Sequence, residues 1–515
     1  MFDHIIVGGG AAGSVLAARL TEDPNRRVLL LEAGPLDSDQ NIVAPHGVFS
    51  ILRGDLDWSY TTTPQPGLGG REVPISGGRV LGGGGSINYQ AWFRGHPLDY
   101  DGWVEQGMKG WGWADVLPAF RRSEDHERGS SDLHGLGGPI PVTTPRDPHP
   151  LSLAFIAAGL EHGLQFNRDL SAGPDLDGIG IMHSNTRDGE RWSAARGYLH
   201  PVLDRPNLEV RTGALVRRVL TDNGKATGVE YSDTGGNLTV VRADSVILSA
   251  GGVRSAQLLM LSGIGPADHL REHDINVVAD LPGVGSNLQD HLSAMVIWPV
   301  TQGETWLDAY TWENFSRYAE QRRGPLASMG QVGGFLRVGR DALAPDIQLM
   351  TMLIDLSGGP APAFTSLVTL LTPQSRGTVK LRSADAAANP LIDMNYLDND
   401  ADLRALIEGV RETMHMGEGP TFRAFTKPPK IPASETDMDI EQAVRATALS
   451  INHPSGTCRA GVDADSVVDP GLRVHGFTGL YIIDSSVMPS LPRGNTHAPS
   501  IMIGERGAEI LKGIR

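Results

Sequence analysis

The segment 452–461, NHPSGTCRAG, places His453 five positions ahead of Cys458, the only cysteine in 515 residues. A histidine titrates near neutral pH and can accept a proton in catalysis, ligate a metal or sit hydrogen-bonded in a core. A zinc site needs three or four ligands at tetrahedral spacing, which one cysteine and scattered histidines do not supply, so no metal site is expected. Cys458 then reads as a small buried hydrophobe. A second constellation lies near the N terminus, where Gly8, Gly10 and Gly13 form GxGxxG between the apolar residues 4–7 and the helical pattern SVLAARL. Gly8 suits the tight turn, Gly10 lets main chain approach a pyrophosphate, and Gly13 lets the helix pack on the strand. Glu32 ends the apolar run RVLLLEAG, nineteen residues after Gly13, where its carboxylate can accept hydrogen bonds from a ribose diol and would repel a ribose phosphate. This spacing specifies a dinucleotide site and leaves NAD and FAD open.

The elements needed to hold these groups follow from the apolar patterning. A chain of this length exceeds one simple core, and 64 glycines with 34 prolines indicate a loop-rich enzyme with many tight turns. A net charge of −16 and the absence of a long Lys/Arg run argue against a nucleic-acid partner. No apolar run reaches the ~18 residues of a membrane span, and the opening MFDHIIVGGG enters a strand pattern at once, so neither an integral membrane segment nor a signal peptide is expected. The expectation is a cytoplasmic protein, with peripheral membrane contact left open. GGRVLGGGGSINYQAWFRG (77–95) is a second glycine cluster without the helix and acid of another dinucleotide turn. Residues 207–265 read as alternating strands, then a buried strand SVILSAGG running into a helix. Residues 479–513 read as a strand, a loop and a closing helix.

The motifs GxGxxG with Glu32, GGRVLGGGGSIN, GGVRSAQLLMLSGIG, GVGSNLQDH, HPSGTCRAG and NTHAPSIMIGER occur in that order along nearly the whole chain. In them the sequence resembles the glucose–methanol–choline (GMC) oxidoreductase family, in particular its choline dehydrogenase-like and alcohol oxidase-like members. The resemblance implies an α/β FAD-binding Rossmann-type domain with a β-meander, joined to an α+β substrate domain with an antiparallel sheet and helices roofing the flavin. It places residues 1–155, 195–292 and 451–515 in the FAD domain and 156–194 and 293–450 in the substrate domain. It implies cofactor contacts from Gly8, Gly10, Ala11, Ala12, Gly13, Glu32, Ala33, Arg79, Val80, Gly83, Asn88, Ala91, Val216, Ala250, Gly251, Asp484 and Asn495. Val216 matches the residue whose backbone holds the adenine, and Asp484 the position near the ribityl chain, where helix capping is a compatible second role. Relatives that attach FAD covalently use a histidine at the position held here by Ile87, so the flavin is expected to be non-covalent.

By the same resemblance His453 faces the flavin as general base, removing the hydroxyl proton of an alcohol while hydride passes to the cofactor. Its partner falls on Asn495 when counted back from IMIGER, with His497 as the substitute if the loop is shifted. The implied reaction is oxidation of a primary alcohol to an aldehyde, with oxygen, a quinone or a redox protein as electron acceptor. The alternatives on this fold are a hydroxynitrile lyase-type enzyme and a non-redox flavoprotein. For the substrate pocket, Trp92 and Phe93 read equally as wall or core. Trp306, Asp308, Tyr310 and Trp312 leave an aromatic cage for choline open, although a neutral alcohol is preferred.

Overall fold

A computed structural model describes residues 1–339 and 341–514. Phe2–Val7 lies between Val28–Leu31 and Leu238–Leu248, parallel to both, and Leu208–Arg211 and Leu480–Ile482 extend this parallel region. Val28–Leu31 is buried at every position, as a strand covered on both faces requires. The strand Leu238–Leu248 changes character along its length. Its first residues alternate in burial and pair antiparallel with Lys225–Ser232, which pairs in turn with Leu215–Asp222; its last four are continuously buried in the parallel region. One strand thus joins the expected meander and the dinucleotide fold in a single seven-stranded sheet.

Ala11–Leu20, following the first strand, packs along the closing helix His497–Lys512. Their approach is close: a Cβ on Gly504 would stand 3.0 Å from Ala12 Cα. Glu505 of the closing helix is buried and satisfied by Arg19 Nη2 at 2.8 Å, Arg122 Nε at 2.8 Å and the Tyr198 hydroxyl at 2.7 Å. A buried carboxylate with this many donors holds its element in register, because losing one donor leaves charge uncompensated in the interior. That fixes the start of the closing helix, where Asn495 and His497 lie.

The second sheet is six-stranded and antiparallel, in the order Leu449–Ser450, Leu292–Pro299, Ala363–Leu370, Ile347–Met352, Val332–Leu336, Gly178–Ile181. Side chains alternate between its faces. Ile347 and Val368 pack at Gly409 of the helix Asp400–Met416, whereas Gln348 reaches Asn495. Trp298, Phe364, Phe155 and Phe422 form a buried aromatic cluster on the helix side, with Phe155 on the helix Pro150–Glu161. The sheet itself therefore faces the site, and its helices lie on the far side of it instead of above the cavity. The fold is the α/β plus α+β architecture expected from the sequence, a largely parallel sheet with a meander and a separate antiparallel sheet.

Candidate active site

One cavity, of empty volume ≈ 1760 Å³ counted to its open mouth, runs from the glycine turns to His453. Each glycine of the first turn meets a different constraint. Gly8 has φ +103°, and a Cβ there would lie 2.4 Å from the Ser249 carbonyl oxygen. A Cβ on Gly13 would lie 1.9 Å from the Gly8 oxygen, whereas one on Gly10 would meet nothing nearer than Gly83 Cα at 3.9 Å and would project into the cavity. No side chain caps the helix that starts at Ala11 and no acid sits in its first turn, so its free N–H groups and dipole face the cavity, an arrangement that suits a phosphate. The helix Gly251–Leu261 shows the opposite solution. Asp484 caps it through Gly251 N at 2.8 Å and Ser255 Oγ at 2.5 Å, and its other oxygen accepts from Ser486 N and Oγ. All lone-pair sites of Asp484 are thereby taken, which leaves its main chain, not its carboxylate, to face a ligand.

Glu32 lines the cavity just beyond its strand, accepting from Gly9 N and Gly34 N at 2.8 Å each, with one lone pair left on each oxygen. Burial pushes its pKa up, against those donors. Residues 83–86 form a 3₁₀ turn whose Gly83 closes on Gly10, and Asn88 beyond it is held by Arg191. Arg191 is buried without a carboxylate partner among the described residues, bonds to main-chain carbonyls of Ile42 and Asn88, and has its pKa lowered to about 9 by burial.

At the other end, His453 is 7% exposed. Its main-chain N–H donates to Asp290 Oδ1 at 2.7 Å, and Asp290 Oδ2 accepts from Ser450 Oγ and the Tyr396 hydroxyl. Burial raises the Asp290 pKa to about 6, against these donors. The His453 Nδ1 lies 2.9 Å from His291 Nδ1, and its Nε2 lies 3.2 Å from Asn495 Nδ2. Burial, then the neighbouring His291, holds the His453 pKa well below 6.5, so the ring is neutral at neutral pH and one of its nitrogens carries a lone pair. His497 also lines the cavity, but it packs edge-on to Trp92 at 6.1 Å and its buried Nε2 has no partner. The structure brings Asn495, not His497, to the histidine.

Gly8, Gly10, Ala11, Ala12, Glu32, Ala33, Gly83, Asn88, Ala91, Val216, Ala250, Gly251, Asp484 and Asn495 all line the cavity. Three expected contacts do not. Gly13 is spent on the Gly8 carbonyl; Val80 packs with Ile42, Ile51 and Ile87; Arg79 lies over the Trp58 ring at 5.2 Å. Trp92 and Phe93 are core, bound to Glu124 and packed on Phe335 respectively. The choline cage does not assemble: Trp306 is buried against His46 and Phe49, Asp308 caps its own turn at Thr305, and Trp312 is 85% exposed. Sequence reasoning missed His291, Gln348, Tyr89, Trp58 and Arg254. His291, Tyr89 and Arg254 carried a signal, since they lie in GVGSNLQDH, GGRVLGGGGSINYQAWFRG and GGVRSAQLLMLSGIG; Gln348 and Trp58 carried none. Among the described residues no group of three or more His, Cys, Asp or Glu is disposed to hold a metal ion, and no helix is long and apolar enough to cross a membrane.

Fold and cavity together define an enzyme of the dinucleotide-binding α/β class, with a buried imidazole at the far end of the cavity from the glycine turns. GMC oxidoreductase models match residues 2–293 and 373–504, and the chain belongs to the GMC oxidoreductase family. It is 40% identical over 529 residues to alcohol dehydrogenase [acceptor] of Pseudomonas putida, covering 99% of this chain and 96% of that one. It is 39% identical over 545 residues to mitochondrial choline dehydrogenase of Mus musculus, covering 99% and 89%. The crystal structure of pyridoxine 4-oxidase from Mesorbium loti superposes with a TM-score of 0.90 at 32% identity, covering 99% of both chains.

Proposed function

We propose that this chain binds FAD non-covalently and oxidises a neutral primary alcohol to an aldehyde, with His453 as base and Asn495 as its partner. The carrying observation is the pairing of His453 Nε2 with Asn495 Nδ2 in the cavity that the glycine turns open. Bound FAD supplies the two-electron acceptor that takes hydride from the alcohol carbon. The His453 Nε2 lone pair takes the hydroxyl proton, and the Asn495 amide donates to the developing alkoxide oxygen. Because an amide accepts a proton poorly, base function concentrates on His453. The fit to FAD rests on the uncapped helix at Ala11, the exposed main chain of Gly10 and the ribose acceptor Glu32. At the position of a covalent link stands Ile87, whose side chain cannot form one. The residue ranges given above for the two domains are kept as part of this proposal.

The preference for a neutral alcohol rests on the charges lining the cavity among the described residues, which are Glu32, Arg254 and Asp484. Glu32 and Asp484 belong to the nucleotide-side turns, and Arg254 stacks on Trp58 at 3.7 Å. No carboxylate is left to face a quaternary ammonium. Anaerobic stopped-flow absorbance with ethanol, 1-octanol, benzyl alcohol and choline tests the reading. Bleaching of the oxidised flavin band by a neutral alcohol, faster than by choline, supports it. A flavin band that none of them bleaches favours the lyase reading, and cyanohydrin cleavage is then measured. Readmitting air separates oxygen from a quinone or protein as acceptor.

A further inference from the structure

His291 is completely buried where the strand Leu292–Pro299 of the second sheet begins, and it is not among the cavity-lining residues. Its Nε2 lies 3.1 Å from the Leu371 carbonyl oxygen, and its Nδ1 lies 2.9 Å from His453 Nδ1. Resting on the reading of His453 as the base, we propose that His291 is a positioning residue that fixes the tautomer of His453, keeping the ring proton on Nδ1 and the lone pair on Nε2.

The assignment follows from what each partner can do. A carbonyl oxygen only accepts, so His291 Nε2 must carry a proton. A neutral imidazole has one N–H, so His291 Nδ1 is then a lone pair and can only accept. Full burial holds the His291 pKa at about 4, which excludes a doubly protonated ring at neutral pH. The hydrogen between the two rings therefore belongs to His453 Nδ1, and His453 Nε2 is bare. The far end of the chain agrees. Gln348 Nε2 donates to Asn495 Oδ1 at 3.4 Å, which turns the Asn495 Nδ2 donor toward that bare Nε2. Asp290, the preceding residue, holds His453 by its main chain, so this dipeptide fixes both the position and the protonation of the base.

Two consequences follow. When Nε2 takes the alcohol proton, the O–H bond breaks, an N–H bond forms, and the imidazolium keeps its Nδ1–H bond to a neutral acceptor, with no carboxylate in line. His291 donates only into the Leu371 carbonyl and offers no onward path, so the proton leaves His453 by Nε2, on the cavity side.

Two conservative variants split the bonds of His291. His291→Asn keeps an acceptor near Nδ1 and loses the bond to Leu371; His291→Gln keeps a donor near Nε2 and loses the acceptor for His453. Nitrogen-15 spectra of histidine-labelled, FAD-loaded protein, with His453→Gln to identify the His453 signals, report the tautomer directly. The wild type is expected to show a protonated Nδ1 and a bare Nε2 on His453. In His291→Gln the proton shifts to Nε2, and flavin reduction by the fastest alcohol of the panel slows about 10–100-fold, the range for losing one hydrogen bond to a charged ring; His291→Asn stays near wild type in both. A wild-type His453 protonated at Nε2 overturns the proposal, as does equal loss in the two variants, the mark of a structural role. If instead His453→Ala reduces flavin normally, the reading of the base fails, whatever tautomer the spectra report.

Discussion

Around the glycine turns, the cavity wall is built largely from main chain over short stretches, 8–13, 32–34 and 83–85, which approach so closely that a Cβ on Gly8, Gly13, Gly34 or Gly83 would collide with neighbouring backbone. Around His453 it is built from side chains drawn from 290–291, 348, 396, 450 and 495, each placed by a different element. The first region fails sterically and completely, because backbone cannot move out of the way of an added carbon. The second fails by degrees, because each hydrogen bond contributes its own share.

The largest effect expected from this contrast is at Gly13. A Cβ there collides with the Gly8 oxygen, so Gly13→Val is expected to yield protein that retains no FAD, as read from the flavin band after gel filtration. Stoichiometric flavin in that variant would break the contrast at its strong end. Next comes His453→Ala, which removes the base but no part of the turn. It is expected to keep FAD and to slow flavin reduction at least about a hundredfold, the usual scale for general-base loss. Smaller again is the difference between the two candidates for partner. Asn495→Ala deletes a donor to a developing charge and is expected to cost about tenfold in the same assay, while His497→Gln, which makes no bond to His453, stays within about threefold. Reversal of that order would return the role to His497.

The smallest effect at neutral pH is on stability. Burial lowers the pKa of His46, His126, His291 and His497 to about 4 and that of His183 to about 3. The unfolded chain takes up protons at these sites from about pH 6.5, so between pH 6.5 and 4 it binds more protons than the folded chain, and stability falls as the pH drops. Asp290, raised to about 6, and Glu32 and Asp484, also raised by burial, act in the opposite sense and offset part of the effect of the five histidines. The urea midpoint is expected to be lower at pH 5 than at pH 8. An unchanged midpoint would mean that these rings are not held neutral.

Legibility in the sequence follows the same division. GxGxxG, Glu32 and the strands flanking them were readable because their roles depend on neighbours within about thirty residues. His453 was readable through its motif, and Asn495 through its distance from IMIGER. Arg79 and Val80 were placed on the cofactor because they sit inside a glycine cluster, yet their side chains turn to Trp58 and to an apolar pocket with Ile42 and Ile51. The cage suggested by Trp306, Asp308, Tyr310 and Trp312 was adjacency in sequence only: Trp306 and Tyr310 pack on His46, Asp308 caps its own turn and Trp312 is exposed.

What the sequence determined by itself is the dinucleotide turn and the family, because glycine tolerance, strand periodicity and short motifs are local properties. The choice between Asn495 and His497 beside His453, the hydrogen bonds made by its ring and the charges facing the cavity depend on tertiary structure alone. Hydrogen-bond direction and burial depend on which distant segments meet. No spacing along the chain records that His291 lies between the Leu371 carbonyl and His453.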